Sequence, residues 1–133
     1  STEKMKVLVV RPMELPAVQE IDHTLSAMQE LVGGTIQAVY PFDDPVALIA
    51  NDEGKLLGLP WNRALTDDHG VPYDIVCGTF FVAGLKEDDF ASLTEQQIEK
   101  YKDKYSNEMI LSVPKQLEAH KKPMKKEKHE YER

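Results

Sequence analysis

The spacing of apolar and polar residues predicts three strands in the first third of the chain. Residues 6–10 form a β-branched run that Pro12 closes, and residues 17–21 alternate apolar with polar side chains. Residues 35–40 predict a third strand, which ends at Pro41. We therefore expect three short strands before residue 42.

Apolar residues at helical spacing, together with capping residues, predict two helices. Helix one covers about 23–32, because the Asp22 carboxylate can accept from the first free amides and Gly33 can take the left-handed conformation that closes a helix. Helix two covers about 95–105, because Thr94 begins a Thr-x-x-Gln capping box ahead of apolar anchors.

The middle of the chain predicts a hairpin and then a buried strand. Segments 46–50 and 55–59 flank the turn sequence Asn51-Asp52-Glu53-Gly54, which is typical of a hairpin. Within 73–83, residues 75–82 are apolar on both parities, as expected of a central strand that is covered on both faces. The whole pattern predicts an α+β domain with a mostly antiparallel sheet and two helices packed on it.

The length of 133 residues, with 41% hydrophobic and 29% charged content, suits one globular domain with one core. We expect that domain over 1–112 and a Lys/Glu-rich tail over 113–133. The tail has a composition typical of disorder, or it is anchored to the body through Leu117, Met124 or Tyr131, and the sequence leaves both open.

The net charge of −7 divides unevenly between body and tail. Residues 1–114 carry nine Lys or Arg against nineteen Asp or Glu, whereas residues 115–133 carry seven against four. Such an acidic body repels phosphates, so we expect it to bind no nucleic acid directly and to favour a basic partner. The pairs Asp43-Asp44 and Asp88-Asp89 are candidate contacts, although acidic surfaces also serve solubility alone.

The sequence carries no recognisable catalytic or metal-binding motif. Cys77 is the one cysteine and the four histidines lie far apart, so we expect no zinc site and a buried thiol. We likewise expect no cofactor and no enzymatic activity, since no nucleophile elbow or phosphate loop is present. A single cysteine, no apolar stretch of about 20 residues and no signal-peptide segment predict a cytoplasmic protein away from membranes.

The segment 59–65 is predicted to be a loop with a recognition surface. It places Trp61, Asn62 and Arg63 next to one another, and aromatic residues and arginine are enriched at interfaces. In the alternative interpretation Trp61 fills the edge of the core and Arg63 pairs with a carboxylate.

Several strings of the sequence resemble a bacterial and phage family known as domain of unknown function 3846, over about residues 5–105. The strings are Leu31-Val32-Gly33-Gly34, Val39-Tyr40-Pro41-Phe42-Asp43, Val46-Ala47-Leu48-Ile49, Asn51-Asp52-Glu53-Gly54-Lys55-Leu56-Leu57-Gly58-Leu59-Pro60, Asn62-Arg63-Ala64-Leu65, Tyr73-Asp74-Ile75, Gly78-Thr79-Phe80-Phe81, Asp89-Phe90 and Gln97-Ile98-Glu99-Lys100-Tyr101. The resemblance implies a small accessory protein of phages or mobile elements, a setting in which counter-defence inhibitors accumulate.

Together these observations favour a non-enzymatic protein-binding module. In the form that the resemblance implies, it is an anti-CRISPR-like inhibitor of a host nuclease or immune effector. The alternative is a small-ligand binder that sequesters a nucleotide or signal molecule, with Asn62, Arg63 and Thr79 as contacts. An enzyme that leaves no motif is a third interpretation, and homo-oligomerisation stays open.

Overall fold

The computed structural model describes residues 3–111, which form eight strands and two helices. The strands are β1 Lys4–Val10, β2 Ala17–Asp22, β3 Ile36–Val39, β4 Val46–Asn51, β5 Trp61–Thr66, β6 Pro72–Cys77, β7 Phe80–Lys86 and β8 Asp89–Ala91. The helices are α1 Leu25–Val32 and α2 Glu95–Asn107. All strand pairs are antiparallel, so the predicted α+β class with a mostly antiparallel sheet and two helices is confirmed.

Six strands form one sheet in the order β2-β1-β7-β4-β3, and β8 pairs with the second half of β7. Val10, the last residue of β1, lies opposite Phe80, the first residue of β7. At the other end of β7, Gly84 lies opposite Val46, where β4 begins. We call these two ends of the sheet the Val10 end and the Val46 end.

The two faces of the sheet carry two separate cores. On one face Phe81 packs among residues that include Met28 of α1. On the other face Phe80 packs with Tyr105 of α2, with ring centroids 5.3 Å apart, and with Leu65 of the β5–β6 hairpin. Phe80 and Phe81 are both fully buried, so the predicted core position of this run is confirmed.

The helix predictions are confirmed with small changes at the ends. The N-cap of α1 is Thr24, whose hydroxyl accepts from the Ala27 amide at 3.1 Å, and not Asp22 as predicted. Asp22 is the last residue of β2, where its carboxylate pairs with Lys4. Gly33 closes α1 with φ of 82°, and the Thr94 capping box opens α2, which extends two residues beyond the predicted end.

The predicted hairpin of 46–50 with 55–59 is wrong. Strand β4 forms as expected, but its neighbours are β3 and β7. Residues 52–59 form successive turns, in which the Leu57 amide donates to the Glu53 carbonyl at 2.9 Å and the Leu59 amide donates to the Gly54 carbonyl at 3.0 Å. Both edges of β4 are already paired, one with the preceding strand β3 and the other with β7, so the turn sequence could not bring 55–59 alongside it.

The predicted single strand over 73–83 and the predicted loop over 59–65 are also wrong. Gly78 has φ of 89° and divides the apolar run into β6, in the two-stranded sheet, and β7, in the large sheet. The partner of β6 is β5, which occupies 61–66. The loop prediction failed because these residues pair with a strand that the sequence assigned elsewhere.

The predicted tail over 113–133 lies outside the described residues, and so do Leu117, Met124 and Tyr131. Within residues 3–111, neither helix is long and apolar enough to cross a membrane.

Candidate functional site

The two acidic pairs singled out in the sequence lie at the same end of the large sheet. Asp43 and Asp44 belong to the loop that leads into β4, and Asp88 and Asp89 belong to the turn that joins β7 to β8. A backbone hydrogen bond continues the β4–β7 pairing toward both loops, because the amide of Leu85 in β7 donates to the carbonyl of Pro45 at 2.9 Å. The strand order thus brings carboxylates that are 44 or more positions apart in the chain to the same end of the sheet, the Val46 end.

The four carboxylates differ in their exposure to solvent and in their hydrogen bonds. Asp43 and Asp88 are exposed to solvent. Asp89 is also exposed, and its Oδ1 accepts from the amide of Phe90 at 2.7 Å and lies 3.3 Å from Nε2 of His23. Asp44 is half-buried against α2. The acidic surface at this end is therefore presented mainly by Asp43, Asp88 and Asp89.

Asp44 fixes the loop to helix α2. Its Oδ2 accepts from Lys100 Nζ at 2.7 Å and from the Tyr101 hydroxyl at 2.7 Å. The hydrogen bond from Lys100 and then that from Tyr101 hold the pKa of Asp44 below its ordinary value. Burial, together with the bond to Asp44, raises the pKa of Tyr101. Asp44 therefore positions the acidic loop as well as adding charge to it.

We expect Asp44 and Tyr101 to shape the pH dependence of stability at opposite ends of the scale. The lowered pKa of Asp44 gives stability that is complete above the ordinary value of 3.8 and is lost as the pH falls through the folded-state pKa. The raised pKa of Tyr101 gives stability that is complete below 10.0 and is lost as the pH rises above it.

Urea unfolding as a function of pH measures both effects. Asp44→Asn should flatten the acid limb of the stability profile, and Tyr101→Phe should flatten part of the alkaline limb. Asp43→Asn is the matched control, because the Asp43 carboxylate forms no hydrogen bond with Lys100 or Tyr101. An acid limb as steep in Asp44→Asn as in the wild type would contradict the role of Asp44.

Further charges surround the acidic loops. Glu3, His23, Lys86, Glu87 and Asp89 line one cavity of about 430 Å³ beside the β7–β8 turn. His23 lies between two carboxylates, with Nδ1 3.7 Å from Glu3 and Nε2 3.3 Å from Asp89. Among residues 3–111, no three His, Cys, Asp or Glu side chains are placed to hold a metal ion. The arrangement is an acidic surface with scattered cations.

The other predicted contacts, Trp61, Asn62 and Arg63, lie toward the Val10 end on strand β5 and are not part of the acidic surface. Trp61 is half-buried, and Asn62 and Arg63 are both 0% exposed. The Asn62 amide donates to the carbonyls of Val10 at 2.9 Å and Gly78 at 2.8 Å. Asn62 thereby joins the end of β1 to the turn before β7.

The guanidinium of Arg63 makes five hydrogen bonds inside the protein. It donates twice to the Tyr105 carbonyl, at 3.0 and 2.8 Å, once to the Glu14 carbonyl at 2.8 Å, and to the Asn62 carbonyl and side-chain oxygens at 3.3 and 2.7 Å. Burial lowers the pKa of Arg63. The last turn of α2, which supplies the Tyr105 carbonyl, carries the partial negative charge that favours a cation.

Asn62 and Arg63 are thus enclosed by the fold that they hold together. Arg63 matches neither expected arrangement, since its guanidinium donates to backbone carbonyls and to the Asn62 side chain and not to a partner protein or a carboxylate. Thr79, the third contact of the ligand-binding interpretation, lines a separate cavity with Leu57 and Pro60. Cys77 is buried, as predicted.

A family model described as domain of unknown function (DUF3846) matches residues 5–106. The chain belongs to this family. The DUF3846 region begins in β1 and ends in α2, so both acidic loops and the buried Asn62 and Arg63 lie inside it. A search of curated proteins and a search of solved structures each found no significant match.

Proposed function

We propose that this DUF3846 protein is a non-enzymatic binding module whose Val46 end receives a basic surface of another protein. The observation that carries the proposal is that two acidic loops, 43–44 and 87–89, which are distant in the sequence, lie at the same end of the sheet. Complementary charge accelerates association and excludes partners of the wrong sign. The same charge disfavours direct contact with nucleic acid.

A nucleic-acid-binding protein is the partner class that fits this surface best. Channels that bind nucleic acid are lined with cations that track the phosphates, and a rigid acidic surface can occupy them by charge and shape without catalysis. In its most specific form, the proposal is an inhibitor of a host nuclease or immune effector, such as a CRISPR complex, encoded by a phage or other mobile element.

The experiment begins with capture of partners from a bacterial host lysate by the immobilised full chain, followed by mass spectrometry. Association of an identified basic partner is then measured by stopped flow over a range of salt. We expect the association rate to fall steeply, because the Debye length shrinks from about 30 Å at 0.01 M salt to about 8 Å at 0.15 M.

Charge reversal tests which end of the sheet binds. Asp43→Lys with Asp88→Lys should lower the association rate at low salt by about tenfold or more. The control is Asp52→Lys with Glu53→Lys, which makes the same change in net charge just after β4 ends, at the Val10 end of the sheet. Equal loss in both double variants, or association that does not respond to salt, would contradict the proposal.

The ligand-binding alternative has a different candidate location from the one predicted. A cavity of about 310 Å³ lies between β4 and β6, with Leu48 and Val76 in its lining and Asp52 and Glu53 at its margin. The lining carries the carboxylates of Asp52, Glu53 and Asp74 and the ammonium group of Lys55, and this excess of negative charge disfavours anionic nucleotides. A melting-temperature increase with a nucleotide would support this alternative, and we expect none from mono-, di- or cyclic nucleotides.

A further inference from the structure

The Val10 end of the sheet, opposite the acidic loops, carries an apolar surface. A cavity of about 370 Å³ is lined there by apolar side chains from three segments, namely Pro12, Leu31, Leu57, Leu59 and Pro60. Among residues 3–111, Glu30 is the one charged residue that lines it. Leu57 is 57% exposed at the margin of this cavity. We call these five apolar residues the leucine patch.

Leu57 is exposed to solvent on a turn whose backbone is ordered by hydrogen bonds. Its amide donates to the Glu53 carbonyl at 2.9 Å, and the turn that carries it lies tightly against β6 at Gly54, where an added Cβ would be 2.5 Å from the Cys77 carbonyl. The backbone of the turn is therefore fixed in a position that leaves the Leu57 side chain exposed. An apolar group fixed in solvent beside other apolar groups is typical of an interaction surface.

Two charges of opposite sign flank the leucine patch. Arg11 and Glu30 both line a neighbouring cavity of about 440 Å³, which shares Leu31 with the patch. Neither Arg11 nor Glu30 forms an ion pair with any residue of 3–111. An apolar centre with unpaired polar groups at its margin has the composition of a protein interface.

We propose that the leucine patch is a twofold interface between two copies of this chain. In a twofold contact each residue that meets a second residue is met by it in return, so Arg11 can face Glu30 of the partner subunit on both sides of the axis. Residues 3–111 carry ten more acidic than basic side chains, and this excess repels a second copy. Contact at the Val10 end keeps loops 43–44 and 87–89 of the two copies apart, although Asp52 and Glu53 also lie at this end.

Such a dimer presents two acidic surfaces that point away from the axis. It does not depend on the proposed function, since it would form whatever the acidic loops bind. If they do bind a basic partner, two sites on one particle raise the apparent affinity for a partner that is itself repeated or dimeric.

Sedimentation equilibrium of the full chain, from low micromolar to millimolar concentration and at physiological salt, tests the dimer. We expect reversible dimerisation that Leu57→Asp weakens by about a hundredfold, because the twofold axis places the new charge at the interface twice. Leu56→Asp is the matched control. Leu56 is 46% exposed on the same turn, but it lines the cavity of about 310 Å³ between β4 and β6 and not the leucine patch. A chain that stays monomeric throughout, or equal loss in both variants, overturns the proposal.

A charge swap separates the interface from an effect on folding. Arg11→Glu alone and Glu30→Arg alone should each weaken dimerisation by about tenfold, since each places like charges together at two points. The double variant should restore wild-type dimerisation, because it exchanges the two signs. If the double variant loses as much dimer affinity as the two single variants together, Arg11 does not face Glu30 of the partner subunit and the proposed interface is wrong.

Discussion

Replacing Arg63 by methionine is expected to lower the free energy of unfolding by about 3–5 kcal/mol. Methionine fills a similar volume but donates no hydrogen bond, so the carbonyls of Tyr105 and Glu14 and the side-chain oxygen of Asn62 lose their donor inside the protein. Each buried acceptor left without a donor costs about 1–3 kcal/mol. Urea unfolding followed by circular dichroism measures the change.

Arg63→Lys provides the informative comparison. Lysine keeps the charge but replaces the planar fork by a single ammonium group, which cannot reach acceptors on both sides as the guanidinium does. We expect a loss smaller than that of Arg63→Met and still well above that of a surface change. If the urea midpoint of Arg63→Met equalled that of the wild type, the hydrogen bonds of Arg63 would not be what holds α2 to the loop that contains Glu14. The interpretation of Arg63 as a stabilising buried residue would then be wrong.

The elements that the sequence predicted correctly are those fixed by neighbours in the chain. The Thr94 capping box and the left-handed Gly33 each satisfy amides or carbonyls within one turn, so their pattern is complete in the sequence. The buried run at Phe80 and Phe81 was predictable for a related reason, since a strand covered on both faces is apolar throughout.

The errors arose where distant segments decide the outcome. The sequence Asn51-Asp52-Glu53-Gly54 is typical of a hairpin turn, but β4 gains more from pairing with β3 and β7 along its length than a local hairpin could give. Asn62 and Arg63 looked like surface residues because polar side chains are mostly exposed. Their partners are carbonyls at Val10, Gly78 and Tyr105, and no local pattern reveals those contacts.

The candidate site shows the same division between local and distant information. Each acidic pair was predictable as an exposed turn from its composition. The sequence could not show that Asp43 and Asp88 lie at one end of the sheet, because that follows from the pairing of β4 with β7 and from the contact of Pro45 with Leu85. The role of Asp44 in binding Tyr101 depends likewise on where α2 crosses the sheet.

Gly54→Ala is expected to destabilise the protein by about 2–3 kcal/mol or more, through sterics alone. A Cβ at this position would lie 2.5 Å from the Cys77 carbonyl oxygen, which belongs to the backbone of β6 and cannot rotate away. The 52–59 turn would have to move off β6. That movement would also displace Leu57, so dimerisation should weaken together with stability.

Gly70→Ala distinguishes this clash from a general loss of glycine. Gly70 has φ of 79°, and no atom of the part of the chain that the structure describes lies within 4 Å of an added Cβ. Its substitution therefore introduces backbone strain of about 1–2 kcal/mol without a clash. We therefore expect Gly70→Ala to have a higher melting temperature than Gly54→Ala and to dimerise like the wild type. The explanation would be contradicted if the two variants lost equal stability and both dimerised normally. In that case the close packing of Gly54 on Cys77 would not fix the turn, and another contact would position Leu57.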